Sequence, residues 1–190
     1  MLIAIPLVLP VIDASLKTLA DFTSPALMVP NLKGQVPAAV IAELCSALQE
    51  GEGLSDSEAF CESVMARELM SPTAISPGFA LPHARLAGLP NLSFALARSS
   101  KPLAWFGENS VRVQVVFLFA VPEAQAKTYL NVISAVAKLS QNPALVRELM
   151  RAPDGRAMFE VLKHAPLRQP RSATLARFNL HGLEAEYPVI

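Results

Sequence analysis

Three residues in the stretch Arg67 to Arg85, which reads RELMSPTAISPGFALPHAR, have the types and spacing to do chemistry together: Arg67, Thr73 and His83. A neutral imidazole, with an unperturbed pKa of about 6.5, can attack a phosphoryl group in line and hold it as a phosphoramidate. Arg67 offers a planar, permanently charged fork for phosphoryl oxygens. Thr73 offers a hydroxyl that can donate to an oxygen or to the ring. Together they read as a phosphoryl site in which His83 takes the group and the other two offset its charge. No Walker-type Gly-rich loop and no magnesium motif accompanies them, so ATP is not the expected donor. The donor should be another phosphoprotein.

The neighbouring residues say how such a site would be positioned. A helix should end near Met70, because Ser71 precedes Pro72 and a residue before proline is pushed out of the α region. A loop follows, with Pro77-Gly78 as its turn pair. Phe79-Ala80-Leu81 is a short apolar run that reads as a buried strand, and His83 comes just after it, behind the fixed backbone of Pro82. The helix carrying Arg67 is expected to start at Ser55-Asp56-Ser57-Glu58, a capping box between Ser55 and Glu58, with Phe60, Val64 and Met65 on its apolar side. The preceding helix opens at Pro37, buries Val40, Ile41, Leu44 and Leu48, and ends at Gly51. Before it, Leu16 to Asn31 reads as a short helix or turn and then an extended entry.

Downstream, Leu92 to Ala97 and Val111 to Ala120 read as strands. The second becomes continuously apolar at Val116-Phe117-Leu118-Phe119, the pattern of a central strand covered on both faces. Trp105 and Phe106, between the two, read as core or rim. Pro122-Glu123 opens a long helix with Tyr129, Val132, Ile133 and Val136 inward. Asn142-Pro143 and Asp154-Gly155 start two more, and His164 near the end of the last is a partner for the helix dipole. Helices, then strands, then helices imply a sheet covered on its faces by helices.

The Arg-Glu pair, the Thr of the following loop and Gly-Phe-Ala-Leu-Pro-His together resemble the active-site signature of enzyme IIA of the mannitol/fructose type (type 2). That family belongs to the phosphoenolpyruvate-dependent phosphotransferase system, and nitrogen-regulatory enzyme IIA proteins share the signature. The segment AKTYLNVISAVAKL is similar to a helix of the nitrogen-regulatory branch. The resemblance implies an α/β fold with a mixed β-sheet flanked by helices on both faces. It implies His83 as the phosphoryl acceptor, Arg67 and Thr73 as phosphate-binding residues, and no cofactor. It names an HPr-type histidine phosphocarrier as donor, and an enzyme IIB or a regulatory target protein downstream. Relatives commonly carry a second active-site histidine in a Thr-His-Leu context. This chain has Thr128-Tyr129-Leu130, so Tyr129 occupies the second-histidine position. The loop Ser71-Pro72-Thr73-Ala74-Ile75-Ser76 stands where the family usually has Gly-Ser-Thr-Gly-Ile-Gly. If those glycines serve positive φ, Ala74 and Ser76 should carry strain. The other function compatible with these residues is a regulatory binding module that keeps the fold and is not phosphorylated.

The resemblance covers one domain, 22–167, leaving an apolar N-terminal extension, 1–21, and a C-terminal extension, 168–190. Composition agrees with a single domain: 190 residues, 52% of them apolar, are enough for a sizeable core. Lysine plus arginine equals aspartate plus glutamate at 16 each, so no basic field points to nucleic acid. The two cysteines, Cys45 and Cys61, fall within helical patterns and read as buried free thiols. No CxxC and no helically spaced His pair argues for a metal. Met1 to Ile12 is apolar but broken by Pro6 and Pro10, too short for a membrane span, and lacks the early positive charge of a signal peptide. It reads as an arm docked on the domain, with no membrane insertion, in a cytoplasmic protein. His181, in the tail, reads as structural or surface.

Overall fold

A computed structural model describes residues 17–167, apart from 53, 55, 76 and 107–110. The apolar arm, the C-terminal tail and His181 lie outside the described residues. Two short 3-10 turns, Leu19–Phe22 and Pro25–Leu27, lead into β1 (Met28–Val29). Helices α1 (Pro37–Glu52) and α2 (Ser57–Met70) follow as a hairpin. Then come β2 (Ala74–Ile75), β3 (Phe79–Ala80), β4 (His83–Leu86), β5 (Ser93–Ala104) and β6 (Arg112–Pro122). Helices α3 (Ala126–Ser140), α4 (Pro143–Arg151) and α5 (Gly155–Leu162) close the chain.

The sheet is mixed and runs β1-β5-β6-β3-β2, with β4 also paired to β6. β5 and β6 are antiparallel, whereas β1 runs parallel to β5. β3 and β4 both run parallel to β6, β3 at Val115–Val116 and β4 from Phe119 to Pro122. They are in effect one strand interrupted at Leu81-Pro82, where the Phe119 N–H donates to the Pro82 carbonyl. Every residue of β6 from Val115 to Pro122 is buried, and since neighbouring residues face opposite sides, helices cover both faces. Phe79, Phe94, Phe117 and Phe119 form an aromatic layer on the sheet, with neighbouring ring centroids 5.3 to 6.2 Å apart.

The helices form where their caps and apolar stripes place them. Val40, Ile41, Leu44 and Leu48 of α1 are all fully buried. The side chain of Asn142 accepts from the N–H groups of Ala144 and Leu145, and Asp154 accepts from Ala157. The cap of α2 is Asp56, whose side chain accepts from the Ala59 N–H at 3.0 Å; Ser55 lies outside the described residues. α3 starts at Ala126 after a 3-10 turn, Glu123–Gln125, rather than at Pro122-Glu123. β5 runs well past Ala97, because Leu103 and Ala104 resume pairing with Val113 and Arg112 after a register shift. Positive φ occurs among the described residues only at Gly78 and Gly88. Ala74, an ordinary β2 residue, therefore carries no such strain, and Ser76 lies outside the described residues. No helix among the described residues is long and apolar enough to cross a membrane.

Candidate functional site

The β3–β4 break sets the place of His83. Leu81 and Pro82 belong to neither strand, and the His83 Nδ1 lies 3.1 Å from the Leu81 carbonyl. A carbonyl can only accept, so Nδ1 carries the proton and Nε2 keeps a free lone pair. At Gly78 (φ 88°) the chain turns into β3. There the Gly78 carbonyl accepts from the N–H groups of Gln114 and Val115, locking the segment to the central strand. A side chain at this position would meet the Arg112 carbonyl at 3.1 Å as well as the strained backbone.

His83 lines an open pocket of about 300 Å³ with Ser63, Arg67, Ala84 and Arg85. Arg67 comes from the last turn of α2 and Arg85 from β4, and both are exposed. Burial is the main cause that holds the His83 imidazole below its ordinary pKa; the charges of Arg67 and Arg85 push the same way. The Leu81 hydrogen bond and Glu68 oppose them without prevailing. The ring is therefore neutral at neutral pH, and two fixed cations share its pocket. Such an arrangement suits a nucleophile that receives an anionic group. A larger groove, about 520 Å³, lies along α4 and α5 with Arg147, Glu148 and Arg151 in its lining. It contains no nucleophile, so size does not mark the site.

Tyr129, from the second turn of α3, packs its ring against His83 with centroids 5.2 Å apart and meets Phe119 edge-on. It is 7% exposed, and its hydroxyl has no hydrogen-bond partner among the described residues. Burial raises the phenol's pKa well above the ordinary value; Arg67 and Arg85 work against that rise and Glu68 adds to it. The phenol thus shares one electrostatic environment with the arginines of the pocket.

Thr73 reaches the His83 segment through Leu81. Its hydroxyl accepts from the Leu81 N–H at 3.2 Å and donates to Glu68 Oε2 at 2.8 Å. Glu68, on α2, is fully buried. Its Oε1 accepts from the Thr73 N–H at 2.7 Å and from the Trp105 indole at 2.6 Å. A continuous path therefore runs from Trp105 through Glu68, Thr73 and Leu81 to the His83 ring. Three features of this region escape the sequence reading. Glu68 follows Phe60 and Val64 at steps of four, which is a burial signal. Trp105 has one indole N–H that needs a partner when buried. Arg85 stands two residues after His83, on the same face of a strand.

Among the described residues no group of three or more His, Cys, Asp or Glu side chains could hold a metal ion. Comparison with known proteins bears on the same segment. The chain is 26% identical over 148 residues to the nitrogen regulatory protein of Bradyrhizobium diazoefficiens, covering 78% of this chain and 96% of that one. It is 26% identical over 132 residues to the fructose-specific EIIABC component of a Bacillus subtilis phosphotransferase system, covering 70% of this chain but 21% of that one. Nitrogen regulatory protein IIA-Ntr from Neisseria meningitidis shares the fold, with a TM-score of 0.66 at 22% identity over 75% of this chain and 97% of that one. Residues 21–165 match the family model described as phosphoenolpyruvate-dependent sugar phosphotransferase system, EIIA 2, and the chain belongs to that family.

Proposed function

We propose that this chain is a phosphoryl carrier: His83 Nε2 accepts a phosphoryl group from a phosphorylated HPr-type histidine carrier. It then passes the group to an enzyme IIB, or signals to a regulatory target by carrying it. The observation that carries this reading is the His83 ring itself, neutral, with Nδ1 held on the Leu81 carbonyl beside two exposed guanidiniums. In the transfer, Nε2 forms a bond to phosphorus as the donor's nitrogen–phosphorus bond breaks, and Nδ1 keeps its proton on Leu81. Arg67 and Arg85 offset charge on the phosphoryl oxygens, and the unpartnered Tyr129 hydroxyl donates to one of them. Thr73 holds the acceptor strand in place through Leu81. A direct bond from its hydroxyl to the phosphoryl group requires release from Glu68.

The carrier domain is proposed to span 22–167 between two extensions, with the residues just before Phe22 packed onto it, and to work in the cytoplasm. The chain spans nearly all of the nitrogen regulatory relative but only a fifth of the fructose-specific one. The likeness of AKTYLNVISAVAKL to a helix of the nitrogen-regulatory branch supports a regulatory carrier over a module of a sugar permease. Incubation with phosphoenolpyruvate, enzyme I and an HPr-type carrier from the same source should place an acid-labile phosphoryl group on the intact protein, and His83→Ala should abolish it. A label that persists in His83→Ala refutes the assignment. No label on the unaltered protein favours a binding module that is not phosphorylated.

A further inference from the structure

The α1–α2 hairpin holds both cysteines of the chain, and neither lines the pocket around His83. Cys45, on α1, is 2% exposed, and Cys61, on α2, is half-buried. Both line one groove of about 490 Å³ with Ser46, Gln49, Asp56 and Glu58, and Cys61 is within hydrogen-bonding reach of Cys45. The phosphoryl reading uses neither residue. A reagent arriving from solvent meets the more exposed Cys61 before the buried Cys45. Asp56 and Glu58 in the lining repel anionic oxidants such as glutathione disulfide and leave small neutral ones free to enter.

We propose that Cys45 and Cys61 form an oxidisable dithiol pair, in which Cys61 reacts with a small neutral hydroperoxide and Cys45 resolves the product as a disulfide joining α1 to α2. Cys61, as its thiolate, attacks one peroxide oxygen. A sulfur–oxygen bond forms, the oxygen–oxygen bond breaks, and the second oxygen leaves with a proton as water or alcohol. Cys45 gives up its proton and attacks the Cys61 sulfur. The sulfur–sulfur bond forms, the sulfur–oxygen bond breaks, and the released hydroxide takes that proton to become water. Two thiols are oxidised and one peroxide is reduced. Burial pushes the Cys45 thiol up, reinforced by the neighbouring Cys61, so resolution is the slower step. The product fastens α1 to the helix whose last turn carries Arg67 and Glu68.

The test treats the full chain with hydrogen peroxide, then denatures it, alkylates free thiols and measures the intact mass. The expected result is loss of two hydrogens, no alkylated cysteine, and full reversal by dithiothreitol. In Cys45→Ala the reaction should stop at a sulfenic acid on Cys61 that dimedone traps, and in Cys61→Ser residue Cys45 should stay unoxidised. Circular dichroism of each variant establishes that it is folded before it is treated; if Cys45→Ala fails to fold, Cys45→Ser takes its place. Three results overturn the proposal: a wild-type chain that gains two oxygens at Cys61 while Cys45 remains alkylatable, one that forms only intermolecular disulfides, or one that keeps both thiols when a cysteine peptide in the same solution is oxidised.

Discussion

Among the described residues the buried Tyr129 phenol has no hydrogen-bond partner, an arrangement that is costly in the resting protein, and it sits beside His83. Removing only the hydroxyl separates its two possible roles. An unsatisfied buried donor contributes nothing favourable to folding, so Tyr129→Phe should leave stability unchanged or raise it by up to about 1 kcal/mol. Under the proposed phosphoryl role the same variant loses a donor to an anion, a bond worth about 1.5–3 kcal/mol. Phosphorylated His83 should then hydrolyse about tenfold faster or more. Tyr129→His should lengthen the lifetime, since the phosphoryl dianion beside it favours a protonated imidazole and charged hydrogen bonds are about twice as strong. Lifetimes of the three forms at one pH and temperature, beside their melting curves, check this; equal lifetimes would mean that Tyr129 only packs. His83, Arg67 and Tyr129 were legible as one group because each sits inside a contiguous motif. Arg85 was not, because a cation at the end of a short strand pattern looks the same whether it faces solvent or a site.

At the scale of elements, the loop between α2 and β3 is held by the buried carboxylate of Glu68 rather than by glycine chemistry. The sequence pointed to Thr73 as a phosphate ligand. The coordinates engage its hydroxyl between Glu68 and Leu81. Glu68→Ala leaves the Trp105 indole and the Thr73 N–H without their acceptor, and the Thr73 hydroxyl without its own. At about 1–3 kcal/mol for each of the two N–H donors, the loss should be roughly 2–6 kcal/mol, measured by urea denaturation. Trp105→Phe removes one donor and should cost clearly less than Glu68→Ala. A Glu68→Ala cost under about 1 kcal/mol would show that the path from Trp105 to His83 does not support the loop. The helices were legible from their caps and stripes, since those are local signals. The length of β5 was not, because polar Ser99 and Lys101 and the donor-free Pro102 fall where the ladder shifts register. Arg98 was equally hidden: it donates to the carbonyls of Pro30, Leu149 and Met150, tying β5 to the end of α4. No periodicity announces contacts so distant in the chain.

For the whole molecule, the sheet with helices on both faces was legible from the order of elements and the unbroken apolar run of β6. Its strand order was not. That β1 lies parallel to β5, and that β3 and β4 share one edge of β6, depends on pairings between distant segments. The same holds for the way the fold closes on itself. The Leu19 N–H donates to the Ala165 carbonyl at 3.0 Å, the Leu167 N–H donates to the Lys17 carbonyl at 2.9 Å, and Thr18 bridges Pro166. Leu19 is fully buried in the core. The two ends of the described region thus hold each other, and the first few residues before position 22 belong energetically to the domain. A fragment of residues 17–167 keeps all of these contacts. A fragment of residues 22–167 loses the Leu19 side chain, about 1.5–3 kcal/mol of burial, and the backbone bonds of Lys17 and Leu19 at about 1 kcal/mol each. The shorter fragment should therefore be less stable by about 3–5 kcal/mol, read as an earlier midpoint in urea at an unchanged slope. Equal midpoints for the two fragments would place the start of the cooperative unit at Phe22, with Leu19 contributing nothing to it.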